Sequence, residues 1–460
     1  MAVQIHKQPN KFLNPVYDDI IFTLKNATPN VFRHKFILEV YVTNGYLPLT
    51  GQIDTKVATL KAKANTQGRA HFNISNILQD YCKTDVDGFA YFGVNDSTFD
   101  GVTAFVEQHS IHQIDKFAQN KSNLKRYYVV AAEEYATTQT GFVFQQGGTV
   151  TSAKRLVWNA VRQLQDGFET FNDDTLLLSG GDCFFLSGLP ATVNRKIQLG
   201  QFHTMAFFNG AFGSGNENQS FVNRIGIRFF DASNTSISTH FIDNTDANGG
   251  ITAQTYWHST IGSAWYTTHG LLYFGIGTQN IENSGITIPT NAAYYTVVAQ
   301  DSANSDVTAT YRFDITEEDC KGLETIRLAY LNRLGAWDYY NFDKKSTRTT
   351  EINRANFKQN YGTYNDDDYF QASYQGGNTS YRVNAKEMIE ANTDYITQAE
   401  AATLEELFTS PVVYMQETNG SFVRVAVEEK SYTKQTTAND MLIQYIIQVS
   451  KSNETRIQNI

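Results

Sequence analysis

Cysteine is scarce in this chain: Cys82, Cys183 and Cys320 are all that 460 residues contain, and they stand far apart. Such spacing excludes a disulfide scaffold and fits thiols kept reduced in a cytoplasm. Long apolar runs are missing too. No stretch approaches the roughly 20 residues that a bilayer-spanning helix needs, and the opening "MAVQIHKQPNKFLNPVYDD" has no apolar signal core. The expectation is a soluble chain made in the cytoplasm, with no membrane insertion. Charge is also sparse, at 18% of residues, and it divides into 37 basic and 47 acidic side chains for a net −10, with neither sign gathered into a long block. Proteins that follow a phosphate backbone cluster their cations, so nucleic acid is not an expected partner.

What the sequence does hold is aromatic. Hydrophobic residues make up 41% and Phe, Trp and Tyr 13%; such side chains suit a pleated, half-buried surface. The length is too great for one compact core, and about three domains are expected. The predicted fold is mainly β and multi-domain, with antiparallel β-sandwich domains and a few short helices. The boundaries are a β-rich N-terminal domain with a short helix over 1–150, a connector over 151–180, a central β-sandwich over 181–319, and a β-rich C-terminal domain with one helix over 320–460.

Periodicity supports that division. "DDIIFTL" and "KFILEVYV" are strand-like, the second with Phe36, Leu38, Val40 and Val42 on one side and Ile37 and Tyr41 on the other, which suggests burial of both faces. In "FNISNILQDYC" the spacing of Ile74, Ile77, Leu78 and Tyr81 predicts a short helix capped by Asn73. "SAKRLVWNAVRQLQDGFETFNDDT" is ambiguous between helix and loop. The central region is a series of strands separated by Gly, Asn, Ser and Asp turns, as in "RIGIRFFDASN", "GLLYFGIGTQN" and "VTATYRFDIT". In the last of these Val307, Ala309, Tyr311, Phe313 and Ile315 alternate with polar residues, the pattern of a strand with one buried face. Near the C-terminus Thr397-Gln398-Ala399-Glu400 forms a capping box opening a helix over 397–409 that buries Ala401, Leu404, Leu407 and Phe408. Two alternating strands, around Val423, Val425 and Val427 and from Met441 to Val449, follow it. "STRTTEINRANFKQNYGTYNDDDYFQASYQGGNTS" is read as a polar tract, and the terminal "SKSNETRIQNI" as frayed or docked on a neighbour.

Nothing along the chain specifies chemistry. "HSIH" spaces His109 and His112 for a metal on a helix, but no further ligand motif supports it, and exposed histidines are the plainer reading. "NTDANGG" matches the start of a calcium loop at Asn244, Asp246, Asn248 and Gly249, and fails at the twelfth position, where Thr255 replaces the bidentate Glu. Asp366, Asp367 and Asp368 invite calcium or glycoside cleavage, against the simpler reading of a solvated loop. "FGSGNENQS" lacks the third glycine of a dinucleotide loop and the Lys of a P-loop. No GxSxG and no cysteine-nucleophile signature occurs. The chain is therefore read as non-enzymatic, with no cofactor and no metal.

One stretch stands out. In "LETIRLAYLNRLGAWDYYNF", residues 323–342, Ile326, Leu328 and Tyr330 alternate into a turn at "NRLGA". After it, Trp337 and Tyr339 share one face while Asp338, Tyr340 and Phe342 share the other. One face fills a core; aromatics on the second would leave an exposed apolar patch unless something covers them. Three readings follow: core packing on both sides, a subunit interface, or a sugar-stacking platform. Trp, Tyr and Arg are the residue types enriched at interface hot spots, so Arg327, Tyr330, Arg333, Trp337, Tyr339, Tyr340 and Phe342 are the candidate interface residues. A second aromatic stretch, "TYWHSTIGSAWYTTHG", offers Tyr256, Trp257, Trp265 and Tyr266 as candidate glycan-stacking residues.

The order of these features, a lead strand pair in "YDDIIFTL" and "FILEVYV", then "FNISNILQDY", a central sandwich preceded by "FFLSGLP", the "YLNRLGAWDYYNF" hairpin and a closing "ETRIQ", resembles virion structural proteins of tailed bacteriophages, especially tail, baseplate and collar components. The likeness runs loosely over the whole chain and is sharpest at the hairpin. It implies a β-rich subunit assembled in the host cytoplasm into a ring or spike, whose partners are copies of itself and other virion proteins. The competing expectation is a tail-fibre or receptor-binding protein that holds a host-surface glycan on its exposed tryptophans. A secreted glycoside hydrolase fits less well, since neither a signal peptide nor a credible carboxylate pair is present.

Overall fold

The computed structural model describes residues 3–11, 13–26, 32–44, 53–90, 108–114, 116–120, 122–145, 148–162, 184–208, 222–244, 271–301, 303–316, 322–364, 367–371, 374, 376–429, 431, 443–453 and 455–456. The described chain is mainly β, built of several antiparallel sheets with three short α-helices. It divides into two compact units: Met1–Thr316 with Leu331–Asp338, and Glu317–Tyr330 with Tyr339–Ile460.

In the first unit, Leu124–Ala136 is the central strand of a seven-stranded sheet. It pairs antiparallel with Phe32–Asn44, which pairs in turn with Ile53–Ala62. Phe36, Leu38, Val40 and Val42 are fully buried on one face, in a core with Phe22, Leu24, Tyr127 and Val129. Ile37 is buried on the other face, where Tyr41 lies half-buried and stacked on Tyr128 at 4.9 Å. Arg155–Trp158 is a strand, although the region around it reads as helix or loop. Its four residues are all buried, pairing antiparallel with Leu124–Ala136 and parallel with Leu13–Pro15. A strand buried on both faces shows no alternation, so period alone does not reveal it.

The predicted short helix is Ser75–Gln79. Asn73 does serve it, since its side-chain oxygen accepts from the Ser75 amide at 3.1 Å, while Ile74 holds the N-cap position and is itself fully buried. A five-stranded sheet follows from the central region, ordered Arg195–Ile197, Tyr311–Ile315, Tyr294–Gln300, Arg224–Phe230 and Ser236–Asp243. Its inner face carries Ile225, Ile227, Phe229, Tyr295, Val297, Tyr311 and Phe313. The alternation read in "VTATYRFDIT" is present there, with Tyr311 and Phe313 buried and Arg312 and Asp314 partly exposed. A second five-stranded sheet joins Thr204–Phe208 and Leu271–Gly275 to Phe117–Gln119, Asp87–Ala90 and Gln108–Ser110, so strands distant in sequence complete one layer.

An eight-stranded sheet, all of it in the second unit except Leu331, Trp337 and Asp338, runs Trp337–Phe342, Ile326–Leu331, Val413–Gln416, Phe422–Val427, Ile446–Lys451, Gly377–Asn392 and Ser346–Gln359, with Thr455–Arg456 pairing onto Gly377–Asn392. The helix Gln398–Thr409 packs Ala401, Leu404 and Leu407 into this sheet's core; Phe408 is half-buried against it. Both halves of the capping box form, with the Thr397 hydroxyl accepting from the Glu400 amide and the Glu400 carboxylate accepting from the Thr397 amide. Such a box satisfies two amides that no helical carbonyl can reach.

Candidate protein-interaction site

The tract read as polar is two long strands. Ser346–Gln359 and Gly377–Asn392 pair antiparallel over their whole length, in a register interrupted once, where Tyr381 is the extra residue between the pairs Ala355–Arg382 and Asn356–Ser380. Near the base the return strand has a third partner, through Met388–Asn392 against Ile446–Ser450 and Asn384–Ala385 against Thr455–Arg456. Beyond Asn384 no third strand joins among the described residues. From Arg354 to Gln359 the chain thus forms a two-stranded ribbon about 20 Å long, given about 3.3 Å per residue, and a second small pairing, Thr363–Tyr364 with Tyr369–Phe370, continues it.

This arm exposes both faces and both edges. Every residue from Thr347 to Arg354 and from Asn356 to Gln359 is exposed. A two-stranded hairpin alone is marginal in water, because it lacks a third layer on which to bury apolar area. Yet the arm carries Ile352, Phe357, Tyr361, Tyr369, Phe370, Tyr374 and Tyr381, all exposed, with Tyr374 at 84%. Phe357 and Tyr381 meet edge to face at 6.1 Å, and the Tyr369 hydroxyl donates to the Tyr361 carbonyl. Gly376, at φ +87°, permits the close turn beneath Tyr361, since a Cβ there would lie 2.6 Å from its ring. Between Gln359 and Asn378 the composition is rich in Tyr, Asn, Gly and Gln, and binding loops favour large rigid rings set among small polar residues.

A charge network holds the base. Arg348 donates to Glu324 at 2.5 and 3.0 Å and to Glu387 at 2.5 Å. Lys451 bridges Glu387 at 2.9 Å and Glu417 at 2.8 Å, and Lys386 reaches Glu428 at 2.8 Å. The bond from Lys451 outweighs partial burial and, with that from Arg348, holds the Glu387 carboxyl below its ordinary value; its two partners raise the Arg348 guanidinium. Networks of this kind matter more than isolated surface pairs, and this one joins the arm's two strands to Glu324 and to the neighbouring strand.

The seven hairpin residues lie elsewhere. Arg327, Tyr330, Trp337, Tyr339 and Phe342 are buried by the chain's own packing, and Arg333 and Tyr340 are half-buried. In the second unit Arg327 donates to Asn341 at 2.7 Å and lies over the Tyr339 ring at 4.9 Å, while Tyr330 and Phe342 join the apolar core. In the first unit Trp337 packs against His112 at 4.7 Å, and Asp338 accepts from Ser187 at 2.6 Å, from the Gly188 amide at 2.7 Å and from Asn332 at 2.9 Å. Core packing on both faces, the first of the three readings, describes this ribbon.

His112 corrects an expectation. It is 1% exposed rather than solvated, and Trp337 packs against its ring; the side chain of His109 lies outside the described residues. Tyr256, Trp257, Trp265 and Tyr266 also lie outside them, as do most of "NTDANGG", all of "FGSGNENQS", Cys183, Cys320 and Asp366. Asn244 is buried, donating to the Val222 carbonyl at 3.0 Å. Asp367 and Asp368 are exposed at the arm's tip. Among the described residues no three His, Cys, Asp or Glu side chains converge as a metal set, and no helix is long and apolar enough to cross a membrane.

Sequence reasoning missed the arm because its signal is one of propensity, not of alternation. "STRTTEI" is rich in β-branched residues, but with both faces exposed no hydrophobic period marks the strand. The paired glycines Gly376 and Gly377 were the available turn signal.

No protein-family model matches this chain, and no curated protein matches it. Among solved structures it is similar to the native conformation of alpha-2-macroglobulin from E. coli, at 6% identity and a TM-score of 0.20. That match covers 85% of this chain, which spans 22% of the length of the macroglobulin.

Proposed function

We propose that this chain is a non-enzymatic structural subunit of a tailed-bacteriophage virion, in its tail, baseplate or collar, and that it acts by assembling with copies of itself and with other virion proteins. The observation that carries the assembly role is the arm: a ribbon with open edges, two exposed faces and seven exposed apolar or aromatic side chains, Ile352, Phe357, Tyr361, Tyr369, Phe370, Tyr374 and Tyr381. Unpaired strand edges template pairing with another chain, and exposed apolar patches mark interaction surfaces. The phage context rests on the sequence resemblance, and the virion is the proposed location.

The test is the mass of the purified protein by light scattering, alone and after mixing with lysate from particle-producing cells. A ring, a trimer or another closed oligomer, or incorporation into large particles, is the expected result. A monomer that ignores both itself and the lysate overturns the reading.

A second reading, recognition of a host-surface glycan, draws on the rings of Tyr361, Phe370 and Tyr374, which lie exposed beside polar side chains at the tip. Binding on a glycan array by the monomer, lost in Tyr374→Ala and Phe370→Ala, is its distinguishing outcome.

A further inference from the structure

The arm's charges are unevenly distributed. On the stem, Arg354, Lys358 and Arg382 are exposed, and none makes an ion pair among the described residues. Arg354 and Lys358 share one face, opposite Val383 and Asn378, while Arg382 lies opposite Ala355 on the other face together with Phe357. The single acidic residue of this region, Glu351, stands directly across from Lys386. The stem is thus a local positive surface in a chain of net charge −10. The tip has the reverse sign, with Asp367 and Asp368 exposed in a run of three aspartates.

A rod that is basic along its stem and acidic at its tip is complementary to itself when two copies lie antiparallel. Parallel alignment sets like charges side by side, and like charges directly opposed are destabilising. Antiparallel alignment about a two-fold axis brings each acidic tip to the other's basic stem, and the same patch serves both copies, as a two-fold interface requires. Exposed rings are present at both ends of that contact, Phe357 and Tyr381 on the stem and Phe370 and Tyr374 at the tip.

We propose that two copies of this chain associate arm to arm and antiparallel, with Asp367 and Asp368 of each copy set against Arg354, Lys358 and Arg382 of the other. This rests on the assembly reading above and supplies its first contact. The aromatic rings contribute buried apolar area, and the charges set direction and register.

The test uses the full-length chain in two charge-reversed forms. The first carries Arg354→Glu, Lys358→Glu and Arg382→Glu, which makes stem and tip both acidic. The second carries Asp367→Lys and Asp368→Lys, which makes both basic. Melting temperatures should match the parent, since all five positions are exposed. Light scattering should show the parent associating, with association weakening as salt rises, and each variant alone losing the arm contact, with about a tenfold or larger increase in dissociation constant. An equimolar mixture of the two variants should recover the association, because each acidic arm then meets a basic one. The proposal is overturned if either variant associates like the parent, or if the mixture fails to recover what both have lost. Should the parent assemble while the variants match its mass, arm pairing fails and the assembly reading stands. A parent that stays monomeric with and without lysate removes both.

Discussion

The indole N–H of Trp337 donates to the main-chain carbonyl of Asp85 at 2.9 Å, joining positions 252 residues apart. Trp337 is 1% exposed and packs edge to face on His112. Asp85 also accepts from the Ser122 amide at 2.6 Å and from the Tyr273 hydroxyl at 3.1 Å, so the tryptophan closes a buried polar hub. Truncating such a residue loses apolar burial and leaves both a cavity and an unmet carbonyl. Trp337→Ala is expected to destabilise the protein by about 3–5 kcal/mol, read as a lower denaturation midpoint in urea. An unchanged midpoint would place Trp337 outside the core.

Gly335 turns the same hairpin at φ +77°, and a Cβ on it would lie 2.1 Å from the Asn159 carbonyl oxygen. The Gly335 carbonyl also accepts from Asn123. Gly335→Ala adds a backbone penalty of about 1 kcal/mol to a collision with fixed main chain. A loss of stability larger than that penalty alone is expected in thermal unfolding, whereas Gly285→Ala, with positive φ but no atom within 4 Å, should cost only the backbone share.

Cys82 is 2% exposed, and burial pushes its thiol up to about 12. Only the thiolate is a nucleophile, so the native protein should leave Cys82 unlabelled by a maleimide at pH 8. A chain with Cys183→Ser and Cys320→Ser isolates the effect. Labelling should appear on unfolding, and rapid native labelling would contradict the burial described.

Most of the buried architecture was legible in the sequence, and most of the exposed architecture was not. Alternation at Phe36 to Val42 and at Tyr311 to Phe313, helical spacing behind Asn73 and the Thr397–Glu400 box all point to elements that one buried face makes visible. Arg155–Trp158 was hidden because all four residues are buried, and Ser346–Gln359 because none is. Period reports the contrast between two faces, and a strand without contrast gives no period. The hairpin's aromatics were legible as residues seeking cover, and the cover they have is the chain itself, as at Trp337 and Phe342. The aromatics at Phe357, Phe370 and Tyr374 lay unremarked in a polar tract because their neighbours are Asn, Gln, Asp and Ala.

The arm's anchorage should respond to acid. Glu387 is held below its ordinary value of 4.5, first by the bond from Lys451 and then by that from Arg348. A group with a lowered folded pKa contributes above its unfolded value and loses that contribution as pH falls through the folded one. Amide protection factors across Arg348–Thr350 and Glu387–Ile389, taken relative to the intrinsic exchange rate at each pH, should therefore be high at neutral pH and fall once pH drops below about 4.5, the unfolded reference for Glu. Glu387→Gln should flatten this dependence. An equal loss of protection in parent and variant would assign it to another group.

The assembly role is tested most directly by the mass, in light scattering, of the full chain beside a form in which residues 351–385 are replaced by a short turn. The described residues among those removed are all exposed or half-buried, so the two forms should melt alike. The account predicts an oligomer for the full chain and a monomer for the shortened one. Equal masses would contradict it, as would a full chain that stays monomeric at every concentration and in the presence of the lysate.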